Sequence, residues 1–429
     1  MRILYIVHKY PPHSLGGTEL HTWSLARAMA RLGHEVTVFY PLQSHSGFVP
    51  HKEQGVREWR SPLPASRGQE HPVAQFWHTV RNRGIESDFL RCLHMLKPEV
   101  VHFQHVQGVS ARLIVLAAGR PRIATLHDYW YFCANSQLVR PDRFVCADPR
   151  LGYDCVDCAT VRADLAPLRR LRPLMAQPFL WRNRYLHRLL AQMDLLITPS
   201  RFLRDQYRRF LGPKLPPILV SENGLDLDRL ALREVALPSP PARPHFGFLG
   251  SIAWQKGVHV LIEAFNRVRG GSLTIYGDES IFPAYAAEVR SLARHAHIRF
   301  AGRLDPALVG TALRQIDCLV VPSLWYENSP LVIQEAFALG VPVVASRLGA
   351  LPEKVRDGID GRLFRAGDVE DLACILQEFC DTPEALARLA ARTRPGPSID
   401  EQAKELLARY QYLLGRSSAN PQSPSPSPD

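Results

Sequence analysis

Short apolar segments typical of β-strands alternate with helix signals along most of this 429-residue chain. Such alternation predicts parallel sheets covered by helices on both faces, because each parallel connection needs a crossover. A proline-rich stretch, 224–244, separates two sets of segments and predicts two doubly wound, Rossmann-like α/β domains. The segments are RILYIV (2–7), EVTVFY (35–40), VVHFQHV (100–106), RIATLH (122–127), DLLITPS (194–200) and PILVSEN (217–223), then HFGFLG (245–250), SLTIYG (272–277), HIRFAG (297–302), DCLVVPS (317–323) and VPVVAS (341–346).

The domain limits follow from these two sets. We assign residues 1–216 to a first domain and 217–397 to a second. The amphipathic stretch 398–415 predicts a helix that crosses the junction and packs back on the first domain. The remainder, 416–429, is rich in serine and proline and is expected to be disordered.

Composition narrows the class of protein. The chain is 46% hydrophobic and 22% charged, as in globular proteins, and its net charge of +11 favours an anionic partner: a nucleotide phosphate, a membrane surface or nucleic acid. The first apolar run is too short for a signal-peptide core, and no stretch of about 18 uncharged apolar residues predicts a membrane span. We therefore expect a cytoplasmic protein.

The stretch WYENSPLVIQEAF (325–337) places two glutamates, Glu327 and Glu335, eight positions apart in an apolar context. Pro330 suits the first position of a helix, and Ser329 or Asn328 could cap it. A helix that begins after a buried strand presents free N–H groups to an anion such as phosphate. A buried carboxylate needs hydrogen-bond donors, so sugar hydroxyls are the expected partners of Glu335.

Two further segments could approach a phosphate. Gly16 and Gly17 precede a predicted helix after the first strand, although a plain tight turn explains them equally well. Lys256 stands where a helix should begin after the strand ending at Gly250, a position that favours a diphosphate contact over a surface charge. The dinucleotide fingerprint G-x-G-x-x-G is absent after the first strand, which argues against a dehydrogenase.

Five segments between residues 245 and 368 resemble glycosyltransferase family 4, the retaining nucleotide-sugar transferases of the GT-B fold: GSIAWQKGVHVLIEAF, SLTIYGD, IRFAGRL, YENSPLVIQEAFALGVPVVAS and GALPEKVRDGIDGRLF. In the first half the similarity rests on the glycine pair, TLHDYW, ITPSRF and ENGLD. The resemblance implies two domains facing a cleft, retention of configuration and no cofactor for transfer.

The resemblance also implies a role for each candidate site residue. Glu335 would accept hydrogen bonds from the ribose, and Glu327 from the transferred sugar. The diphosphate would lie on Lys256 and on the backbone of Asn328, Ser329, Pro330 and Leu331. His127 would reach the donor sugar near its reacting carbon.

One position departs from the family pattern. Ser251 follows Gly250 where members usually carry an arginine that pairs with the lysine. Half of the expected diphosphate contact is therefore missing. Arg201, Arg303 or Lys9 could supply the charge from elsewhere in the chain, or the donor could bind more weakly.

Four of the eight cysteines lie in a short turn-rich insertion, 132–160, that ends in C-x-x-C: Cys133, Cys146, Cys155 and Cys158. In a reducing compartment this spacing favours a structural zinc site over unligated thiols, and an iron–sulfur cluster is an alternative. A second unusual stretch, 161–190, mixes arginines with leucines and aromatic residues. It could rest on anionic lipid, and a solvated helix face explains it nearly as well.

These observations predict a hexosyltransferase that takes a UDP-, GDP- or ADP-sugar and serves a lipid-linked or polysaccharide acceptor in envelope or exopolysaccharide assembly. It would work in the cytoplasm, with the inner face of the plasma membrane as a potential anionic surface. A nucleotide-sugar epimerase or phosphorylase on the same fold is one alternative. A zinc-bearing nucleic-acid-binding protein is another, although it leaves the glutamate pair unexplained, and we expect no nucleic-acid partner.

Overall fold

A computed structural model describes residues 1–43, 47–63, 72–147, 150, 152–162, 170–230 and 243–419. The described chain forms two sheets, of eight and six strands, and helices cover both faces of each sheet. The predicted architecture of two doubly wound, parallel-sheet domains is confirmed.

The first sheet has the order β3-β4-β2-β1-β5-β6-β7-β8 and is parallel except for the β3–β4 pair at one edge. Its strands are β1 (Arg2–Ile6), β2 (Glu35–Gln43), β3 (Gly47–Glu53), β4 (Val56–Leu63), β5 (Val100–Phe103), β6 (Arg122–Thr125), β7 (Leu195–Thr198) and β8 (Ile218–Val220). Its helices are α1 (Gly17–Arg31), α2 (Pro72–Val80), α3 (Arg83–Leu96), α4 (Leu113–Leu116), α5 (Cys155–Arg162), α6 (Arg172–Leu190) and α7 (Arg201–Leu211).

The second sheet is parallel throughout, in the order β11-β10-β9-β12-β13-β14. Its strands are β9 (His245–Leu249), β10 (Ser272–Tyr276), β11 (Ile298–Gly302), β12 (Cys318–Val321), β13 (Val343–Ser346) and β14 (Gly361–Phe364). The helices that follow residue 243 are α8 (Val258–Phe265), α9 (Pro283–Leu292), α10 (Val309–Leu313), α11 (Leu331–Ala338), α12 (Leu351–Lys354), α13 (Val369–Asp381), α14 (Pro383–Ala390) and α15 (Ile399–Ala419). Short 3-10 helices span Asp228–Leu230, Trp254–Lys256 and Pro306–Leu308.

The central strands are buried on both faces, as a doubly wound sheet requires. In β1, Leu4 and Ile6 pack into one apolar cluster, while Ile3 and Tyr5 pack into another on the opposite face. The second sheet likewise has two apolar clusters. Alternate side chains of one strand therefore supply both cores.

Helix α15, from the C-terminal end of the described chain, contacts α1 of the first domain. Its Ile399, Leu406 and Tyr410 are buried in the same cluster as Ile3 and Tyr5. The hydroxyl of Tyr410 lies 2.6 Å from Nδ1 of His102 on β5. This helix closes one face of the first sheet.

Two limits differ from the sequence expectation. Strand β8 pairs with β7 in the first sheet, so the division at 216/217 falls one strand too early. Helix α15 runs to Ala419, whereas the tail was expected to begin at 416; residues 420–429 lie outside the described ones. Of the basic stretch 161–190, residues 163–169 also lie outside them.

Candidate active site

Glu327 lies in the loop after β12, at the carboxyl edge of the second sheet, where it meets the short helix that carries Lys256. The two segments approach so closely that a Cβ on Gly257 would lie 1.9 Å from the carbonyl oxygen of Pro322, and the φ of Gly257 is +70°. Only glycine satisfies both conditions. The backbone N–H of Leu324 also donates to the carbonyl of Gln255 (2.8 Å).

The carboxylate of Glu327 is buried and oriented by three donors. Nζ of Lys256 (2.7 Å), Oγ of Ser323 (2.8 Å) and Nε1 of Trp325 (2.8 Å) all donate to Oε1. No hydrogen bond from a described residue ends on Oε2, so that oxygen is left for a ligand. The Lys256 side chain is 26% exposed, and its ammonium lies 5.4 Å from the ring centroid of Trp325, so it also faces the cleft.

Helix α11 begins next to this carboxylate without a side-chain cap. It starts at Leu331, with Pro330 in the N-cap position, so the expectation that Ser329 or Asn328 would cap it was wrong. Oγ of Ser329 is buried and has no hydrogen-bond partner among the described residues. The amino end of α11 therefore retains free backbone donors and a free hydroxyl for an anionic ligand.

Asn328 joins the two domains instead of capping the helix. Its Oδ1 accepts a hydrogen bond from the hydroxyl of Tyr129 (2.5 Å), and its Nδ2 donates to the backbone oxygen of His127 (3.0 Å). The Tyr129 hydroxyl also lies 3.1 Å from the backbone oxygen of Tyr326. The predicted residues His127 and Glu327, from different domains, are thus brought to adjacent positions in the cleft.

The imidazole of His127 is neutral in this environment. Burial, followed by the neighbouring histidines, holds its pKa well below the ordinary value. Nε2 lies 2.8 Å from Oε1 of Gln104, which can only accept, so Nε2 carries the proton and Nδ1 keeps its lone pair. Gln104 follows β5 at the same edge of the sheet, and the sequence analysis did not identify it.

Other histidines surround this position. The pKa of His127 is lowered by four of them, His21, His105, His102 and His8, in decreasing order. Burial also lowers the pKa of His21 to about 4 and that of His102 to about 3. His127, His21 and His102 therefore present neutral rings at the first-domain edge of the cleft, beside the carboxylate of Asp128, which pairs with His105 (3.0 Å). Two of these residues stand in VVHFQHV, which was interpreted only as a strand.

Glu335 is buried in α11, slightly more than one helix turn from the start of the helix. Its partner is Arg229 rather than a hydroxyl. The guanidinium of Arg229, in the 3-10 helix Asp228–Leu230, donates to Oε1 of Glu335. Burial raises the pKa of the Glu335 carboxyl, and the charge of Arg229 opposes that shift. The sequence pattern did not predict this ion pair, and the expected contact of Glu335 with sugar hydroxyls of a bound donor stays a prediction.

The glycine pair begins α1, but a carboxylate covers its first member. A Cβ on Gly16 would lie 2.5 Å from Oε2 of Glu19, whose Oε1 accepts a hydrogen bond from Ser14 (2.8 Å). No described atom lies within 4 Å of a Cβ built on Gly17. Glu19 would repel a phosphate here, so this helix start is electrostatically less suited to the diphosphate than α11.

The three side chains considered as substitutes for the arginine missing at Ser251 lie at different places. Arg303 follows β11, two strands and roughly 10 Å from β9, and pairs with Asp278 (3.7 Å). The backbone N–H of Arg201 donates to Glu353 (2.8 Å) at the start of α7. Lys9 is exposed after β1. None of these contacts involves Ser251.

The four cysteines of the insertion line one small cavity, and none of them forms a disulfide bond with another described residue. As the side chains are placed, however, no group of three or more His, Cys, Asp or Glu residues in the described ranges converges closely enough to hold an ion. Within the same ranges, no helix has the length and apolar character needed to cross a membrane.

The chain is similar to proteins that share this two-domain fold. It is 28% identical to a glycogen synthase of Mycobacterium tuberculosis (strain CDC 1551 / Oshkosh) over 97% of this chain and 95% of that one. The structure of a sucrose-phosphate synthase from Thermosynechococcus elongatus matches with a TM-score of 0.70 at 18% identity, covering 97% of this chain and 99% of that one. The structure of Anabaena HepE in complex with UDP matches with a TM-score of 0.63 at 17% identity, covering 96% and 100%.

Two family descriptions match nearly the whole chain. Residues 243–381 match "Glycosyl transferases group 1". Residues 15–229, half of the chain, match "Glycosyltransferase Family 4". The similarity of the fold, the motif around Glu327 and these matches lead to one conclusion: the chain belongs to glycosyltransferase family 4.

Proposed function

We propose that this protein is a retaining hexosyltransferase that moves a sugar from a nucleoside diphosphate donor to a lipid-linked or polysaccharide acceptor, in cell-envelope or exopolysaccharide assembly. The observation that carries the proposal is the orientation of Glu327. Three protein donors hold Oε1, so Oε2 is directed to a ligand beside the uncapped start of α11. Sugar hydroxyls suit such a carboxylate, and a diphosphate suits the helix start.

The charges of the site fit the expected reaction. When the bond between the sugar carbon and the phosphate oxygen breaks, negative charge grows on the diphosphate, where Lys256 and the N–H groups of α11 stabilise it. The reacting carbon gains positive character next to the neutral ring of His127. The acceptor oxygen bonds to this carbon from the same face, and its proton passes to the departing phosphate oxygen, so configuration is retained.

The donor class is proposed from both the site and the relatives. A glycogen synthase aligns along almost the full length of the chain, and a structure of similar fold holds UDP. Glu335 would exchange its pairing with Arg229 for the ribose hydroxyls of a UDP-, GDP- or ADP-sugar. We place the protein in the cytoplasm, where nucleotide sugars are used, with peripheral contact to the plasma membrane.

The acceptor is proposed to be anionic, from a groove of about 710 Å³ on the first domain. Trp181 and Tyr185 of α6 stack in it with nearly parallel rings. The end of α2 lies beside the groove and accepts a hydrogen bond from the loop that follows β5. Gln104 is the first residue of that loop. Stacked rings and guanidinium groups suit a glycan that carries phosphate; the groove is lined by Trp77, Arg81, Arg83, Arg112, Trp181 and Tyr185.

A nucleotide screen followed by product analysis tests the proposal. UDP, GDP and ADP are compared by thermal shift, and we expect one of them to stabilise the chain by about 3 kcal/mol at roughly 100 times its Kd. The matching sugar nucleotide is then supplied with phosphorylated lipid-linked and with neutral glycan acceptors. The product should keep the anomeric configuration of the donor, as read by NMR.

Other outcomes of this assay would contradict the proposal. An inverted product would exclude the same-face route. Sugar release that needs only inorganic phosphate would indicate a phosphorylase, and an epimerised nucleotide sugar without acceptor would indicate an epimerase. Nucleic-acid binding lost at high salt, without any nucleotide effect, would favour the nucleic-acid-binding alternative.

A further inference from the structure

We propose that the cysteine insertion binds one structural zinc ion, and that this ion holds the segment from His127 to Cys133 in its place at the cleft. The four ligands are Cys133, Cys146, Cys155 and Cys158. This inference is independent of the donor and acceptor proposed above, because metal content is measured without either.

The first observation is the cavity itself. The four cysteines stand at three separate places of the insertion, and all of them line a cavity of about 20 Å³, large enough for a single atom-sized guest. Cys155 and Cys158 stand three residues apart on the first turn of α5, which places them on one face of that helix. The one carboxylate at the cavity, Asp154, is paired with Arg150 (2.8 Å).

The second observation is a buried positive charge next to the thiols. Arg182 of α6 is only 2% exposed, and its guanidinium donates to the backbone oxygen of Trp130 (2.8 Å) and to Oδ1 of Asn183 (3.1 Å). It forms no ion pair among the described residues, and its guanidinium lies 4.9 Å from the ring centroid of Trp130, three residues before Cys133. A buried charge requires a counter-charge. Four thiolates around Zn²⁺ carry a net charge of about −2 and would supply it.

In the structure the Cys133 thiol donates to Oδ1 of Asn135 (2.8 Å), and the four sulfur atoms do not converge. Zinc binding displaces the four protons to solvent and draws each sulfur to about 2.3 Å from the ion, which rotation of the side chains into the cavity would allow.

The position of the insertion links this ion to the active site. The backbone N–H of Cys133 donates to the carbonyl of Tyr129 (2.7 Å), and the Tyr129 hydroxyl donates to Asn328 in the second domain. Asn328 in turn holds the carbonyl of His127. A ligand at Cys133 would therefore fix one end of the loop that crosses the cleft, and the cysteines act as positioning residues.

The test begins with metal content. Full-length protein purified without chelator, from medium containing zinc, should hold about one zinc per chain by mass spectrometry of the metals. Cys146→Ser and Cys155→Ser should each lower this to about one tenth, whereas Cys374→Ser, at an exposed free cysteine on α13, should leave it unchanged. Zinc below one tenth per chain in the wild type after reconstitution would overturn the proposal.

Spectroscopy and kinetics complete the test. Substitution with Co²⁺ should give the visible absorption of a tetrahedral tetrathiolate site in the wild type, a result that does not depend on whether a serine variant folds. Zinc removal should lower kcat at least tenfold while the Kd of the nucleoside diphosphate changes less than about threefold. Iron–sulfur absorption, or disulfides between these cysteines in the purified chain, would also contradict a zinc site.

Discussion

The two domains meet at the cleft with different kinds of polar group. On the second domain, Glu327 and Lys256 are ionised partners 2.7 Å apart at the start of a helix. On the first domain, His127 and Gln104 form an uncharged pair, and burial lowers the pKa values of His21 and His102. The second-domain edge is suited to a leaving group that gains negative charge. The first-domain edge is suited to a carbon that gains positive character, because neutral histidine rings do not repel it.

The two buried glutamates, Glu327 and Glu335, also differ in whether the carboxylate faces a ligand or a partner within the protein. Glu327, in the loop before α11, has one oxygen left for a ligand, whereas Glu335, about one turn inside α11, is engaged by Arg229. Both carboxylates are buried to the same extent, at 5% exposure. The difference between them is their distance from the uncapped helix start and the partner that tertiary structure provides.

The largest expected effect comes from removing the charge at the second-domain edge. Glu327→Gln should lower kcat by about 10²–10³-fold, because Lys256 loses its partner and the donor sugar loses a charge-assisted acceptor. The Kd of the nucleoside diphosphate should change less than about threefold. Steady-state kinetics and calorimetry measure the two quantities.

A matched glutamate serves as control for this change. Glu384→Gln, at an exposed position on α14, should keep the kcat of the wild type. Unchanged turnover of the Glu327→Gln variant would contradict the role of this edge in transfer.

A smaller effect is expected for the second glutamate. Glu335→Gln should raise the Kd of the nucleoside diphosphate about tenfold, because a charge-assisted hydrogen bond contributes about 1.5–3 kcal/mol. Arg229→Met should instead lower the Tm while the Kd stays within about threefold, because the arginine partners Glu335 only until the ribose replaces it. Equal losses of affinity in both variants would show that the ion pair, rather than the carboxylate, holds the nucleotide.

A change in stability, rather than in activity, tests whether His21 is neutral at the first-domain edge. His21 has a pKa of about 4 in the folded chain, below its unfolded value of 6.5. Between these values the unfolded chain binds more protons, so stability is full above about pH 6.5 and falls as the pH is lowered. From about pH 7 to about pH 5, this one histidine should cost about 2 kcal/mol of unfolding free energy.

Chemical denaturation across this pH range measures the loss. His21→Gln should reduce the pH dependence of the unfolding free energy by the slope that corresponds to about one bound proton. His94→Gln, at an exposed position on α3, should leave this dependence unchanged. A pH dependence that is identical in the wild type and the His21→Gln variant would indicate that the histidine is charged in the folded protein.

The sequence predicted the part of the site that lies close together along the chain. The strand, loop and helix around Glu327 follow one another within about 20 residues, so their spacing alone places them at one edge of a sheet. The partners of this segment could not be predicted from the spacing of residues along the chain. Tyr129 and Arg229 reach Asn328 and Glu335 across separations of 199 and 106 residues, which only the tertiary structure provides.

The fold was predicted except at the sheet edges, where β3 and β4 of the first sheet and β14 of the second were not identified. Strands β3 and β4 form an antiparallel pair, and their residues, with proline and several charges, do not give the continuous apolar signal of the central strands. An edge pair is stabilised by its neighbour and by solvated side chains, so polar residues are tolerated there. Central strands, buried on both faces, have no such freedom and are readable from sequence.

Helix α15 has a consequence for biosynthesis. The first domain emerges early from the ribosome, but the side chains that cover the Ile3 and Tyr5 face of its sheet are translated about 400 residues later. Until then α1 covers part of this apolar face, and the part that α15 will cover stays open to water and to other nascent chains. The amino-terminal half of the protein thus depends on its carboxyl end to complete folding, and synthesis that stops before residue 399 would leave an adhesive surface.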